Sequence, residues 1–241
     1  TIRDVTDEKR EEKNKSTLLS MVSHKLRTPI AVLKGTVALF QDGILGDLDS
    51  KQKDSINMMG RQSNKMHKLV DRLIDYVSLE GANHEQFQLE EFDPNEFWSD
   101  FRMQYKFNIT DKKLNLNFKL APELKHIKFN REYLKLIFSE LIENAIKFNS
   151  NEEVDIDIMI KRENGRLVLE VRDNGIGIPS VHHDQIFDRF FQVDKYFTGN
   201  VEGMGLGLAL VKTVVENLKG SLRVDSEEGE GSTFVIERAD S

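Results

Sequence analysis

From about Thr6 to Phe40 the chain has a helix-forming composition, and Leu18, Val22, Leu26, Pro29, Leu33, Val37 and Phe40 recur every three or four positions. That period predicts one long amphipathic helix. QDGILGDLDS (41–50) supplies two glycines and a run of Asp and Ser, the chemistry of a turn followed by an N-cap, so a second helix is expected to start near Ser50. It carries Ile56, Met59, Ser63, Met66, Val70, Leu73 and Val77 at the same spacing, and GAN (81–83) ends it. A hairpin with one apolar stripe on each arm encloses no core. It is expected to pair with a second copy as a four-helix bundle; packing on the rest of its own chain is the other arrangement.

Beyond Phe92 the pattern changes. FDPNEFWSDF reads as a helix start, with Asp93 as N-cap and Pro94 at the first helical position. LNLNFKL (114–120), VDIDIMI (154–160) and RLVLEV (166–171) alternate apolar and polar residues as half-buried strands do, and Asn164-Gly165 signals a hairpin turn between the last two. REYLKLIFSELIENAIKF and GLALVKTVVENLKG are amphipathic helices, and SLRVDS and STFVIER are closing strands joined by EEGEG. The reading is a sheet with one face covered by helices, an α+β sandwich over residues 92–241, with 81–91 as linker and the helical hairpin over 16–80.

Composition narrows the classes. The 241 residues are 31% charged and 39% hydrophobic, and no apolar run approaches the roughly 18 to 20 residues of a membrane span, which suggests a soluble, cytoplasmic piece with no membrane contact of its own. A net charge of −7 argues against nucleic acid as the main ligand, and zero cysteines exclude disulfides and thiolate metal sites. The chain begins at Thr1 rather than Met, which points to a piece of a longer protein, possessing or lacking its own membrane anchor.

DNGIGIP (173–179) and GMGLGLALVK (203–212) place closely spaced glycines at the edge of regular elements, where backbone N–H groups can approach an anion. The second run leads into a helix N-terminus, whose dipole favours phosphate. Neither run fits a P-loop or a dinucleotide fingerprint. In ELIENAIKF (140–148), Glu140, Asn144, Lys147 and Phe148 fall at spacings of three and four. A carboxylate and an amide oxygen suit Mg²⁺, a lysine suits phosphate and an aromatic ring suits a purine face. Each signal alone is weak.

Together with SHKLRTPI (23–30) and IFDRFF (186–191), these stretches closely resemble, in order, the histidine, asparagine, first glycine, phenylalanine and second glycine boxes of sensor histidine kinases of two-component systems. The resemblance covers nearly the whole chain. It implies a homodimeric phosphotransfer hairpin and an ATP-binding domain of the kind shared with gyrase, a heat-shock chaperone and mismatch-repair ATPases, working with ATP and Mg²⁺. By resemblance Asp173 accepts a hydrogen bond from the adenine amino group, Asn144 coordinates Mg²⁺ with Glu140 nearby, Lys147 approaches the phosphates and Phe148 lies beside the base. Gly175 and Gly177 shape the adenine pocket, Gly203, Gly205 and Gly207 bound a lid and offer backbone donors, and Thr233 matches a hydroxyl position near the adenine. Phe187, Phe190 and Phe191 anchor the lid or simply pack the core. TIRDVTDEK resembles the end of a PAS sensor domain, which makes residues 1–15 a signalling-helix linker from an upstream sensor.

His24 then becomes the phosphoryl acceptor: unperturbed imidazole titrates near about 6.5 and is mostly neutral and nucleophilic at pH 7. Thr28, one helical turn on, matches a position implicated in dephosphorylating the response regulator. Pro29 removes a backbone bond and is expected to kink the helix. Lys25 departs from the pattern, because relatives carry Glu or Asp there to orient the imidazole and take its proton, whereas an ammonium accepts no hydrogen bond. Three readings stay open. The leading one is a kinase that phosphorylates His24 and passes the group to an aspartate of a response-regulator receiver domain. The second is a kinase-deficient ATP-binding signalling module, or a phosphatase of that regulator. The third is direct ATP hydrolysis, since Glu140 stands where the gyrase branch has its water-activating glutamate. Gln192 replaces an arginine often found in the lid, leaving Lys195 or Arg189 as phosphate contacts.

Overall fold

The computed structural model describes residues 25–80, 88–104, 112–193 and 205–239. The chain divides into two compact units, residues 1–82 and 83–241. The first is a helical hairpin. Helix α1, described over residues 25–41, runs on through Pro29. Its end is a Schellman motif: Ile44 N–H donates to Leu39 O (3.0 Å) and Gly43 N–H to Phe40 O (3.2 Å), with Gly43 at φ +72°. Helix α2 (Ser50–Glu80) opens on a reciprocal capping box, Asp49 Oδ1 accepting from Gln52 N–H and Gln52 Oε1 from Asp49 N–H, both at 2.9 Å.

The apolar stripe of the hairpin resolves into two heptad columns. Ile30 and Val37 of α1, with Ser63, Val70 and Val77 of α2, are buried between the arms. Leu26, Leu33, Met59 and Met66, at the adjacent heptad positions, are 36–47% exposed in the single chain. Ile30, not the exposed Pro29, faces the seam. The three-and-four spacing of apolar residues points to Pro29, but a one-residue step on a helix rotates the side chain by about 100°.

The second unit is a five-stranded sheet with helices on one face. In chain order it comprises β1 (Glu90–Phe92), α3 (Pro94–Gln104), β2 (Lys113–Leu120), β3 (Ile127–Phe129), α4 (Arg131–Lys147), β4 (Glu153–Glu163), β5 (Arg166–Asp173), α5 (Gly207–Asn217), β6 (Ser221–Glu227) and β7 (Gly231–Ala239). The sheet order is β2-β4-β5-β7-β6, with only β2 and β4 parallel; β1 and β3 pair separately. That small pair brings Glu90 and Glu91, expected in the linker, into the second unit. Asp93 caps α3 as expected, accepting from Asn95 N–H at 2.8 Å, and Asn164-Gly165 turns with φ 50° and 73°, as a two-residue hairpin turn of the I′ kind requires.

The core lies between the helices and the inner face of the sheet. Val154, Ile156, Ile158 and Ile160 of β4 are fully buried against Leu134, Ile137, Phe138, Leu141 and Ile142 of α4 and Val211, Val214 and Val215 of α5. At about 1.5–3 kcal/mol for each large apolar side chain, this layer dominates the stability of the unit. Trp98 of α3 stacks on Phe118 of β2 with ring centroids 4.9 Å apart and meets Phe138 edge-on at 6.0 Å, which fixes α3 at the β2 end.

Candidate active site

Helix α4 carries the amphipathic face that fills the core and, on its flank, the polar stripe. Its start is fixed by Asn130, whose side chain accepts from Tyr133 N–H at 3.0 Å. Near its end Glu140 is 8% exposed, while Asn144 and Lys147 are half-buried. Phe148 is the C-cap, its N–H donating to Asn144 O at 2.9 Å, and Lys147 Nζ sits 4.3 Å from the Phe148 ring centroid.

Helix α5 begins at Gly207 against that stripe. A Cβ at Gly207 would press on Glu140 Oε2 and lie 3.9 Å from Asn144 Nδ2, so a larger residue here would push the Glu140 carboxylate aside. Leu206, the N-cap residue, supplies no side-chain hydrogen bond. The first-turn N–H groups of α5 and the positive end of its dipole therefore face the flank where Glu140 and Asn144 lie. A carboxylate and an amide oxygen beside a helix N-terminus form a donor set that fits a hard divalent cation and phosphate together.

Asp173 closes β5 on the same side of the sheet. It is 7% exposed and accepts from Gly175 N–H at 2.8 Å. Burial raises its carboxyl above the usual range, and the backbone N–H groups of Gly175 and Ser232 pull it part of the way back. Gly175 packs tightly: a Cβ there would stand 2.7 Å from Phe148 O and 2.8 Å from Asp173 Oδ1. Phe148 O also accepts from Ile176 N–H at 3.0 Å, tying the end of α4 to the first glycine run, in which Gly177 has φ +68° and abuts Glu227.

A hydrogen-bonded group of asparagines that sequence reasoning missed surrounds this turn. Asn174 Oδ1 accepts from Asn149 Nδ2 (2.7 Å) and Asp155 N–H (2.9 Å). Its Nδ2 donates to Glu153 O and Asp155 Oδ2, both at 3.1 Å, and its carbonyl accepts from Asn151 Nδ2 at 2.7 Å. The only hint in the sequence is the density of Asn and Asp around 149–155 and at 174.

Thr233 borders a cleft of about 320 Å³ together with Asp173, Ser226 and Ser232. Strand pairing sets Thr233 opposite Arg172 and Ser232 opposite Asp173, so Ser232, not Thr233, shares Asp173's face of the sheet. Ser232 Oγ is 3.0 Å from Ser226 Oγ. The hydroxyl expectation thus moves one residue back, because side chains alternate faces along a strand. Of the phenylalanine box, Phe187 packs edge-on against Phe234 (6.5 Å), whereas Phe190 is 58% exposed with φ +62° and its N–H donates to Gly205 O at 2.9 Å. Arg189 is exposed and Gln192 half-buried. Lys195 and Gly203 lie outside the described residues, as does His24.

In the hairpin, Lys25 and Thr28 are exposed on α1. Between them, Arg27 Nη2 and Nε reach Asp71 Oδ1 of α2 at 2.7 and 3.3 Å, and Asp71 Oδ2 lies 3.3 Å from His67 Nε2. Burial, and then Asp71, raise the carboxyl of Asp75 one turn on, with Arg27 and Arg72 opposing.

In the chain a helical hairpin is thus followed by a mixed sheet covered on one face, with an amide and a carboxylate on one helix, a glycine-started second helix and a buried strand-end aspartate. Residues 129–240 match the family described as histidine kinase-, DNA gyrase B- and HSP90-like ATPase, and residues 14–82 match the His Kinase A (phospho-acceptor) domain. The chain belongs to the sensor histidine kinases of two-component systems. It is 30% identical over 237 residues to the sensor protein SrrB of Staphylococcus aureus (strain NCTC 8325 / PS 47), which aligns with 98% of this chain and 40% of SrrB. The chain thus spans less than half the length of that curated relative. Full-length ShkA in complex with AMPPNP shares the fold at TM-score 0.76 and 23% identity, over 93% of this chain and 46% of ShkA. The histidine kinase AdeS of Acinetobacter baumannii does so at TM-score 0.60 and 23% identity, over 90% and 98%. Among the described residues no helix is long and apolar enough to cross a membrane.

Proposed function

We propose that this chain is the kinase core of a sensor: it binds ATP with Mg²⁺, transfers the γ-phosphoryl group to an imidazole nitrogen of His24 with release of ADP, and passes the group to an aspartate carboxylate of a receiver domain. The observation that carries this reading is the convergence of Glu140 and Asn144 with the start of α5 at Gly207, on a sheet that ends in buried Asp173. Asp173 supplies a fixed acceptor for the adenine amino group, held by two backbone N–H groups. Phe148 offers a ring beside the base, and Lys147, one residue before it, offers a cation to the phosphates. Asn144, with Glu140 behind it, would hold Mg²⁺, which when bound neutralises charge developing on the phosphates. The first-turn N–H groups of α5 hydrogen-bond phosphate oxygens.

The exposed heptad column of Leu26, Leu33, Met59 and Met66 supports a dimeric four-helix bundle, in which a second copy covers it. Upstream, a sensor domain of PAS type would feed its signal into α1.

The test incubates the purified chain with γ-labelled ATP and Mg²⁺ beside His24→Ala and Lys25→Glu, and scores acid-labile, base-stable label on the protein. Label on the unchanged chain that disappears in His24→Ala is the expected result, with Lys25→Glu raising the rate by supplying the acceptor that an ammonium lacks. Phosphate release that is independent of His24, with no label on the protein, would overturn the kinase reading in favour of direct hydrolysis.

A further inference from the structure

The asparagine group around residue 174 has no place in the roles given so far, yet it joins the two halves of the nucleotide site. One half is the end of α4, with Asn144, Lys147 and Phe148; the other is the turn that follows Asp173. Three bonds link the segment after α4 to that turn: Phe148 O with Ile176 N–H (3.0 Å), Asn149 Nδ2 with Asn174 Oδ1 (2.7 Å) and Asn151 Nδ2 with Asn174 O (2.7 Å). Asn149 is 5% exposed, and its own Oδ1 accepts from Asn151 N–H at 2.8 Å. The β4–β5 ladder ends with Ile156 opposite Asp173. Beyond it, the Asn174 side chain continues the pairing, accepting from Asp155 N–H and donating to Glu153 O. Both amide oxygen acceptor sites and both amide hydrogens of the half-buried Asn174 are engaged, and an amide so satisfied has a single orientation.

We propose that Asn149 and Asn174 are positioning residues that hold the Asp173 carboxylate in register with α4, and that this clamp sets both nucleotide affinity and the preference for adenine over guanine. Adenine presents an amino donor where guanine presents a carbonyl oxygen. A fixed carboxylate accepts from the first and repels the second, whereas a carboxylate free to swing admits a bridging water and loses the distinction. The inference rests on the ATP-binding reading.

A polarity swap tests it. Asn174→Asp keeps an oxygen for Asn149 and for Asp155 N–H, but sets a second carboxylate oxygen against Asp155 Oδ2 and Glu153 O. Asp155→Asn in the same chain restores a donor to that pair and leaves an oxygen for Asn115 Nδ2, now 2.8 Å from Asp155 Oδ1. Binding of fluorescent N-methylanthraniloyl ATP and GTP is titrated for the unchanged chain, each single variant and the double variant, well below their melting temperatures.

Asn174→Asp is expected to weaken ATP binding on the order of 10- to 100-fold and to bring the ATP and GTP constants together, with the double variant recovering most of both. A purely structural role would lower the melting temperature while the folded protein kept its affinity and its base preference. Undiminished affinity and preference in Asn174→Asp, or a double variant no better than Asn174→Asp, would overturn the inference while leaving the ATP reading intact. An unchanged chain that binds neither nucleotide would overturn both.

Discussion

Gly229 and Gly231 form a matched pair on which the geometry beside Asp173 can be tested. Both have φ +91°, yet a Cβ on Gly229 would meet open space, while one on Gly231 would press into the carbonyl oxygen of Asp173 and stand 3.1 Å from Asn174 Cα. Alanine at either position suffers the strain of positive φ, about 1–2 kcal/mol. At Gly231 the clash is with backbone, which no rotamer relieves. The start of β7 must move away from the end of β5, adding an overpacking cost of about 1–3 kcal/mol and loosening the Asp173–Ser232 pairing by about 1 kcal/mol. Gly229→Ala is therefore expected to cost about 1–2 kcal/mol and Gly231→Ala about 3–6 kcal/mol, measured by urea denaturation at neutral pH. Nucleotide binding, followed by fluorescent ATP, should fall only in Gly231→Ala, since only there does the Asp173 backbone shift. Equal losses of stability in the two variants would refute the reasoning, because they would mean that backbone proximity at residue 231 carries no cost.

Three further outcomes follow from the same structure. The raised carboxyl of Asp173 means that the folded state binds its proton more tightly than the unfolded state, so stability should fall as pH rises from the ordinary carboxylate range through the raised value. Asp173→Asn should lack that fall and lose ATP affinity about 10- to 100-fold; subtracting its pH–stability curve from that of the unchanged chain cancels the contribution of Asp75, and a flat difference would refute the account. Asp49→Ala removes one side of the α2 capping box and should cost about 0.5–2 kcal/mol in denaturation, with no change in nucleotide binding. Met66→Glu places a charge on the exposed heptad column and should halve the mass seen in sedimentation equilibrium while circular dichroism keeps its helical signal; an unchanged dimer would show that this column is not the interface.

Local chemistry determined much of this molecule. Heptad spacing declares both arms of the hairpin, Gly43 and the Asp49–Gln52 box end one helix and start the next, and Asn164-Gly165 turns β4 into β5, because each depends on residues only a few positions apart. The residue types of the nucleotide site were also legible as motifs. Which face each residue occupies was not. Ser232 rather than Thr233 shares Asp173's face, and Ile30 rather than Pro29 enters the seam, because a step of one residue reverses direction on a strand and rotates it by about 100° on a helix. The β1–β3 pair is three residues a side, too short to show a period. The approach of Gly207 to Glu140 and the clamp of Asn149 on Asn174 join positions 67 and 25 residues apart in sequence. Only the packing of α5 on α4, and the end of the β4–β5 ladder, bring those groups within bonding distance.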